Sequence, residues 1–105
     1  MSREVLSEPA VRAGLAGLHR DWTGDTEALR RSIEFADFDV ASEFVNRMGP
    51  ISDEMDHHAD LSLRWRWVDI VLSTHSSHGV TELDLALAAR IDELASELSA
   101  AADPG

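Results

Sequence analysis

Apolar residues recur along this chain at two spacings, every three to four residues and every second residue. The first spacing is typical of one face of a helix, and the second is typical of one face of a strand. The order of these segments predicts a helix, a strand, a second helix, a pair of strands and a last helix. The segments are residues 5–19, 27–35, 40–55, 61–65, 68–75 and 81–98, with a short extended piece and turn around Trp22.

Capping signals mark the beginnings of the first two helices. Ser7 is placed to cap the first helix, and Asp37 or Asp39 the second, because their side-chain oxygens accept from the free N–H groups of a first turn. The second helix is predicted from Val40 to Met55. Gly49-Pro50 lies inside it and predicts a kink or a break, since proline removes a backbone donor.

The third helix has the clearest start signal. Thr81 is followed by Asp84 three residues later, which is close to the spacing of a capping box. Apolar residues at spacings of three and four then form an inward stripe: Leu83, Leu87, Ile91, Leu94 and Leu98. The tail from residue 100 to 105 is expected to fray.

The alternating segments predict a sheet with one buried face. Leu29 and Ile33 share a face of the first strand with Arg31, which predicts an edge position or an arginine head that reaches outward. A tight connection around Arg66 and Trp67 joins the two later strands and predicts an antiparallel hairpin. The strands and helices together predict an α+β fold, an antiparallel sheet with helices packed on one face.

Composition is that of a soluble globular protein. A chain of 105 residues suits a single domain, 1–105, with a core of about residues 5–99, and self-association would bury more apolar surface. The net charge of -11 repels phosphate backbones and argues against nucleic-acid binding. Cysteine is absent, which excludes disulfides and thiolate chemistry. With no signal core and no run of membrane-spanning length, the expected location is the cytoplasm, without membrane attachment.

Four of the five histidines lie between residues 53 and 84. Imidazole changes its protonation near neutral pH, so a cluster of histidines indicates proton transfer or metal binding. His57 and His58 would diverge on a regular helix or strand, and their convergence needs the irregular backbone expected where the second helix ends. His75 ends the last strand. If these two ends meet in the fold, three imidazoles share one cleft.

Three interpretations of the cluster remain open from the residues alone. The histidines act as general acid and base on a neutral small molecule, bind a metal together with Asp56, or cap helices and strands in a partner-binding protein. Adjacent histidines are a poor start for a metal site, because ligands must point at one centre. Asp84 either caps the backbone at Thr81 or holds His75 in one tautomer. Trp22 is either a core residue or a pocket wall.

Three motifs surround these histidines. The chain reads D-H-H-A-D-L-S-L-R-W from Asp56, V-x-I-x-L-S-T-H up to His75, and G-V-T-E-L-D-L-A-L-A from Gly79. They resemble the pterin-4a-carbinolamine dehydratase family, which has His-His-Pro near a helix end, a hairpin ending in Ser/Thr-Thr-His, and Gly-x-Ser/Thr-Glu-x-Asp at a helix start. The resemblance is ungapped from about Asp53 to Leu98 and extends more loosely back to Trp22.

The resemblance implies four antiparallel strands and three helices in a homodimer or homotetramer. It implies dehydration of 4a-hydroxytetrahydrobiopterin (pterin-4a-carbinolamine) to quinonoid dihydropterin, which recycles the pterin used by aromatic amino-acid hydroxylases. No metal or organic cofactor is implied. Carried onto this chain, the catalytic residues are His57, His58 and His75. The implied substrate contacts are Asp56, Ser73, Thr74, Ser76 and Trp22, and Asp84 is implied to support His75.

The implied chemistry suits imidazoles, because loss of hydroxide from C4a needs a proton on the departing oxygen and a base for the N5 proton. Our hypothesis from the sequence is that His58 or His75 is the acid–base residue and His57 orients the ring. Ala59 stands where the family has proline, which leaves His58 less restricted. Relatives of this fold also serve as protein-binding modules, so the alternative function is a catalytically weak or silent member with a protein partner.

Overall fold

The computed structural model describes the backbone of residues 1–102 and the side chains of residues 1–99. These residues form three helices and four strands, and a 3-10 turn lies at His75–Ser77. The helices are α1 (Glu8–Ala16), α2 (Phe38–Met55) and α3 (Glu82–Ala102). The strands are β1 (Thr23–Gly24), β2 (Leu29–Glu34), β3 (Asp60–Arg64) and β4 (Trp67–Leu72). Of the predicted frayed tail, residues 103–105 lie outside the described residues.

The four strands form one antiparallel sheet in the order β1-β2-β4-β3. Along β2 buried and exposed residues alternate strictly, so one face of the sheet is covered and the other is open. Val68, Ile70 and Leu72 of β4 lie on the covered face and are fully buried. The helices supply the other half of this core, which confirms the predicted α+β fold with three helices on one face.

The first two helices begin at capping residues that the sequence predicted. Ser7 accepts from the N–H of Ala10 at 3.3 Å, and Asp37 accepts from the N–H of Val40 at 2.9 Å. α2 therefore starts at Phe38 and runs to Met55. The predicted break into two segments does not occur, because inward residues on both sides of the exposed Pro50 hold one continuous helix against the core.

The hairpin between β3 and β4 turns one residue earlier than predicted. Arg64 pairs with Trp67, which leaves Trp65 and Arg66 as the two turn residues. Trp65 takes a positive φ of 53°, and the Arg66 guanidinium lies 4.6 Å from the centre of its ring. A cation–π contact of this kind holds the aromatic ring in place although two-thirds of Trp65 is exposed.

The position of Arg31 contradicts the prediction of an edge strand or an outward guanidinium. β2 is an inner strand of the sheet, and Arg31 is buried on its covered face. Its Nη1 donates to Asp92 Oδ1 on α3 at 2.5 Å. The same carboxylate accepts from Trp22 Nε1 at 2.7 Å and from the His19 N–H at 2.8 Å. A buried arginine is tolerated here because its charge is paired and hydrogen-bonded.

Among the described residues, no helix has both the length and the apolar composition needed to cross a membrane.

Candidate active site

The C-terminal end of α2 sets the direction of the histidine pair. Asp56 takes the left-handed conformation, with φ 49° and ψ 43°, and its N–H donates to the Asp53 carbonyl at 3.2 Å. The next N–H, that of His57, donates to the Ser52 carbonyl at 3.1 Å. This pair of bonds is a Schellman motif, which satisfies the last carbonyls of the helix and reverses the chain.

The reversal separates the two histidines. Only 7% of the His57 side chain is exposed, whereas 65% of the His58 side chain is exposed. His58 Nε2 lies 3.3 Å from Asp53 Oδ1, a solvated contact that holds the ring weakly. The backbone is irregular here as predicted, but it sends one ring inward and leaves the other at the surface.

His57 meets a fully buried carboxylate. Its Nε2 lies 2.6 Å from Asp84 Oδ1, and the Asp84 side chain has no exposed surface. The resemblance placed Asp84 against His75, and this assignment is wrong because the carboxylate faces His57. The predicted capping role of Asp84 is confirmed, since its Oδ2 accepts from the Thr81 N–H at 2.9 Å.

Thr74 joins the end of β4 to this carboxylate. Its hydroxyl donates to Asp84 Oδ2 at 2.9 Å and lies 2.7 Å from the hydroxyl of Thr81. Thr74 is only 1% exposed, so the hydroxyl that we expected to contact substrate is used inside the protein. Sequence reasoning missed Thr81 as a side-chain partner, although its place in the capping motif was visible.

The loop after Thr74 carries the third predicted catalytic histidine. Two backbone hydrogen bonds between Thr74 and Gly79 close this loop. His75 and Ser76 lie in the 3-10 turn and are exposed. Consecutive Cα atoms are about 3.8 Å apart, so the bond from Thr74 to Asp84 brings the backbone of His75 close to the buried pair. The His75 backbone therefore lies near the buried pair, while its side chain is exposed.

The other predicted contacts lie in different surroundings. Asp56 is exposed at the end of α2. Ser73 donates its hydroxyl to the carbonyl of Glu27 at 2.9 Å. Trp22 is 5% exposed and belongs to the core, where its indole N–H is bonded to Asp92, so the structure gives it a packing role. Asp53, which sequence reasoning did not single out, is the neighbour of His58.

The buried pair has a defined chemical use. A carboxylate that accepts from an imidazole fixes the orientation of the ring and stabilises the imidazolium that forms when the other nitrogen takes up a proton. Among residues 1–99, no group of three or more His, Asp and Glu side chains is arranged to hold a metal ion. The arrangement is that of a small α+β protein with a buried histidine held by a carboxylate.

Known proteins resemble this chain in sequence. The sequence profile of the pterin 4 alpha carbinolamine dehydratase family matches residues 4–94. A Mycobacteroides abscessus protein, provisionally named pterin-4-alpha-carbinolamine dehydratase, is 43% identical over 88 residues, covering 84% of this chain and 93% of that protein. A Metallosphaera sedula protein with the same provisional name is 42% identical over 89 residues, covering 85% and 92%.

Two solved structures resemble the fold. A transcriptional coactivator/pterin dehydratase from Brucella melitensis has a TM-score of 0.81 at 34% identity, covering 86% of this chain and 97% of that one. A pterin dehydratase-like protein identified as a RuBisCO assembly factor in the alpha-carboxysome has a TM-score of 0.62 at 25% identity, covering 73% and 92%. The chain belongs to the pterin-4a-carbinolamine dehydratase family.

Proposed function

We propose that this protein is a hydro-lyase that dehydrates 4a-hydroxytetrahydrobiopterin to quinonoid dihydropterin. The observation that carries the proposal is the buried pair of His57 and Asp84, with 2.6 Å between the ring nitrogen and the carboxylate. A carboxylate behind an imidazole orients the ring and stabilises its protonated form, which is what a general acid–base residue needs. Membership of the family supplies the substrate class.

The geometry favours His57 as the acid–base residue. Loss of the C4a hydroxyl requires one proton on the departing oxygen and removal of another from N5, and a single ring that takes and returns a proton serves both needs. Asp84 stabilises the imidazolium form of His57 between these transfers. This assignment differs from our hypothesis from the sequence, in which His57 only orients the ring.

His58 and His75 then act at the rim. Both are exposed, and His75 stands on a loop closed at its base by Thr74 and Gly79. We assign them to contacts with the pterin. Asp56 and Ser76, which are exposed beside these histidines in sequence, remain proposed substrate contacts.

The test is a spectroscopic assay. 4a-Hydroxytetrahydropterin is generated in situ, and its loss is followed in the presence of wild type, H57A, H58A and H75A. We expect wild type to accelerate the loss above the spontaneous rate and H57A to lower kcat by roughly 100-fold, the size of one general acid–base contribution. H19A is the matched control, because His19 is an exposed histidine at the end of α1.

Two results would contradict the proposal. A correctly folded wild type that leaves the spontaneous rate unchanged argues against a dehydratase. An H57A variant with normal turnover argues against His57 as the acid–base residue.

The second candidate function is a catalytically weak or silent protein-binding module. The observation in its favour is the likeness to the RuBisCO assembly factor, a protein of this fold whose described role is assembly. Under this proposal the folded wild type gives only the spontaneous rate.

We also propose a homodimer or homotetramer in the cytoplasm, and sedimentation equilibrium of the purified protein measures its mass against the 11.5 kDa of one chain.

A further inference from the structure

A chain of hydrogen bonds runs from the start of α3 through two threonine hydroxyls to the Asp84 carboxylate. Asp84 Oδ2 accepts from the Thr74 hydroxyl and from the Thr81 N–H, both at 2.9 Å. The Thr81 hydroxyl lies 2.7 Å from that of Thr74 and accepts from the Leu83 N–H at 3.2 Å. We call this set, Leu83 N–H, the Thr81 and Thr74 hydroxyls and the Asp84 carboxylate, the hydroxyl relay.

Each proton of the hydroxyl relay has one possible place. A carboxylate only accepts, so the single hydroxyl proton of Thr74 points to Asp84. The Thr74 oxygen is then the acceptor for the hydroxyl proton of Thr81, and the Thr81 oxygen accepts from Leu83. All the bonds run in one direction, toward the carboxylate, which is an arrangement in which neighbouring hydrogen bonds strengthen one another.

The Asp84 carboxylate sets the tautomer of His57, and the hydroxyl relay holds that carboxylate in place. A carboxylate only accepts, so Oδ1 accepts from His57 and the ring carries its proton on Nε2, while Oδ2 is held by the Thr74 hydroxyl and the Thr81 N–H. The lone pair of the neutral ring is then on Nδ1. Among residues 1–99, the buried side-chain nitrogens without a hydrogen-bond partner are Arg31 Nε and Arg66 Nε. His57 Nδ1 also has no hydrogen-bond partner among these residues, but it is not one of the buried nitrogens, so it has some exposed surface.

We propose that Thr74 and Thr81 are positioning residues that hold the Asp84 carboxylate in register with the ring and thereby fix His57 as the Nε2–H tautomer. Neither threonine contacts the substrate. Nδ1 of His57 is the nitrogen that exchanges protons with it. The part of this proposal that concerns turnover rests on the proposed dehydratase function, whereas the tautomer is a property of the folded protein alone.

The test measures the ring nitrogens of His57 directly. Protein labelled with ¹⁵N-histidine is examined by long-range ¹H–¹⁵N correlation at a pH where the ring is neutral, with H57Q identifying the resonances. Wild type is expected to show a protonated Nε2 and an unprotonated Nδ1. A wild type with the proton on Nδ1 overturns the proposal without any further variant.

Thr74 variants test the hydroxyl itself. T74V keeps the shape of the side chain but removes the donor, and T74S keeps the donor. We expect T74V to show a mixture of the two His57 tautomers and T74S to match wild type. A folded T74V with the wild-type tautomer overturns the proposal. If T74V does not fold, T81V takes its place with T81S as its control, because it removes the preceding hydroxyl and leaves the bond from Thr74 to Asp84 in place.

Turnover separates positioning from substrate contact. A positioning role predicts that T74V lowers kcat by roughly 10- to 100-fold at an unchanged KM, the cost of a misplaced reacting group. A raised KM at an unchanged kcat indicates a substrate contact and overturns the proposal. If wild type has no dehydratase activity, the proposed function fails, and the tautomer measurement still decides the role of Thr74.

Discussion

His57 and His58 are neighbours with the same side chain, and the fold places one inside and one outside. The cause is the left-handed backbone of Asp56, which reverses the chain at the end of α2. The sequence identified both histidines and the irregular backbone around them. It did not reveal which ring meets Asp84, because that contact joins residues 27 positions apart.

Asp69 provides a residue-scale prediction about acid stability. Hydrogen bonds from Arg64, and then from Ser32, lower the pKa of Asp69 from its ordinary 3.8 to about 2. Because this pKa is depressed in the folded state, the ionised carboxylate stabilises the fold above about pH 4, and this contribution is lost as the pH falls toward 2. One-third of the side chain is exposed, so the contribution is less than about 1 kcal/mol.

We therefore expect D69N to lower Tm at pH 7 by at most about 4 °C and to match wild type near pH 2. Thermal melts followed by circular dichroism between pH 2 and 7 measure the difference. D60N is the control, since Asp60 is an exposed strand aspartate with no side-chain hydrogen bond among the described residues. A Tm difference that stays constant down to pH 2 would contradict the assignment to Asp69.

At the scale of elements, α2 shows packing overriding local preference. Glycine and proline at positions 49 and 50 disfavour a helix, yet the helix is continuous because its apolar face is anchored on both sides. The sequence predicted the cap of this helix at Asp37, whereas the predicted break at Pro50 does not occur. Local preference alone carries no information on how strongly the core holds an element.

Two glycines of different surroundings give a matched pair of substitutions. Apart from its chain neighbours and the backbone of its own helix, a Cβ at Gly49 meets nothing within 4 Å. Alanine has the better helix preference, but Pro50 crowds the Cβ of the residue before it, so G49A is expected to change stability by less than about 1 kcal/mol. A Cβ at Gly79 meets the Thr26 carbonyl oxygen at 2.7 Å and Val5 Cγ1 at 3.0 Å. G79A is therefore expected to cost about 1–3 kcal/mol. Urea unfolding measures both, and equal effects of the two would refute this reading.

Ala59, which lies between α2 and β3, is a site where proline is expected to stabilise the fold. Among the described backbone hydrogen bonds outside helices and strands, none is donated by Ala59, so proline there removes no bond of that kind. We expect A59P to raise the free energy of unfolding by about 0.4–1 kcal/mol, because proline restricts the unfolded chain. If pre-organisation of His58 matters, kcat/KM rises as well. A destabilised A59P would show that the backbone here does not fit proline.

At the scale of the whole molecule, Asp92 connects parts of the chain that are distant in sequence. Its carboxylate on α3 takes donors from His19, Trp22 and Arg31, and so links the end of α1, the segment before β1 and the inner strand β2. Removing one partner of such a pair leaves the other charge buried and unpaired. The alternating pattern of β2 showed that Arg31 lies on the apolar face of the strand but gave no indication of its partner.

We expect D92A to cost about 3 kcal/mol, a large share of the roughly 5–15 kcal/mol that stabilises a typical domain. The free energy of unfolding from urea titration measures it. E93A, an exposed neighbour on the same helix, is the control and is expected to change the free energy by less than about 0.5 kcal/mol. Equal values for the two variants would mean that the pair with Arg31 contributes nothing measurable.

Local sequence patterns were sufficient to predict the helices, the strand faces, the caps at Ser7 and Asp37, and the motifs that mark the family. These depend on residues that are close along the chain, where the period of a helix or strand fixes which side chains share a face. The packing of the elements was needed to show that Asp84 binds His57, that Thr74 is internal and that Arg31 pairs with Asp92. Such contacts join separate elements, and their geometry is set by how the whole core packs.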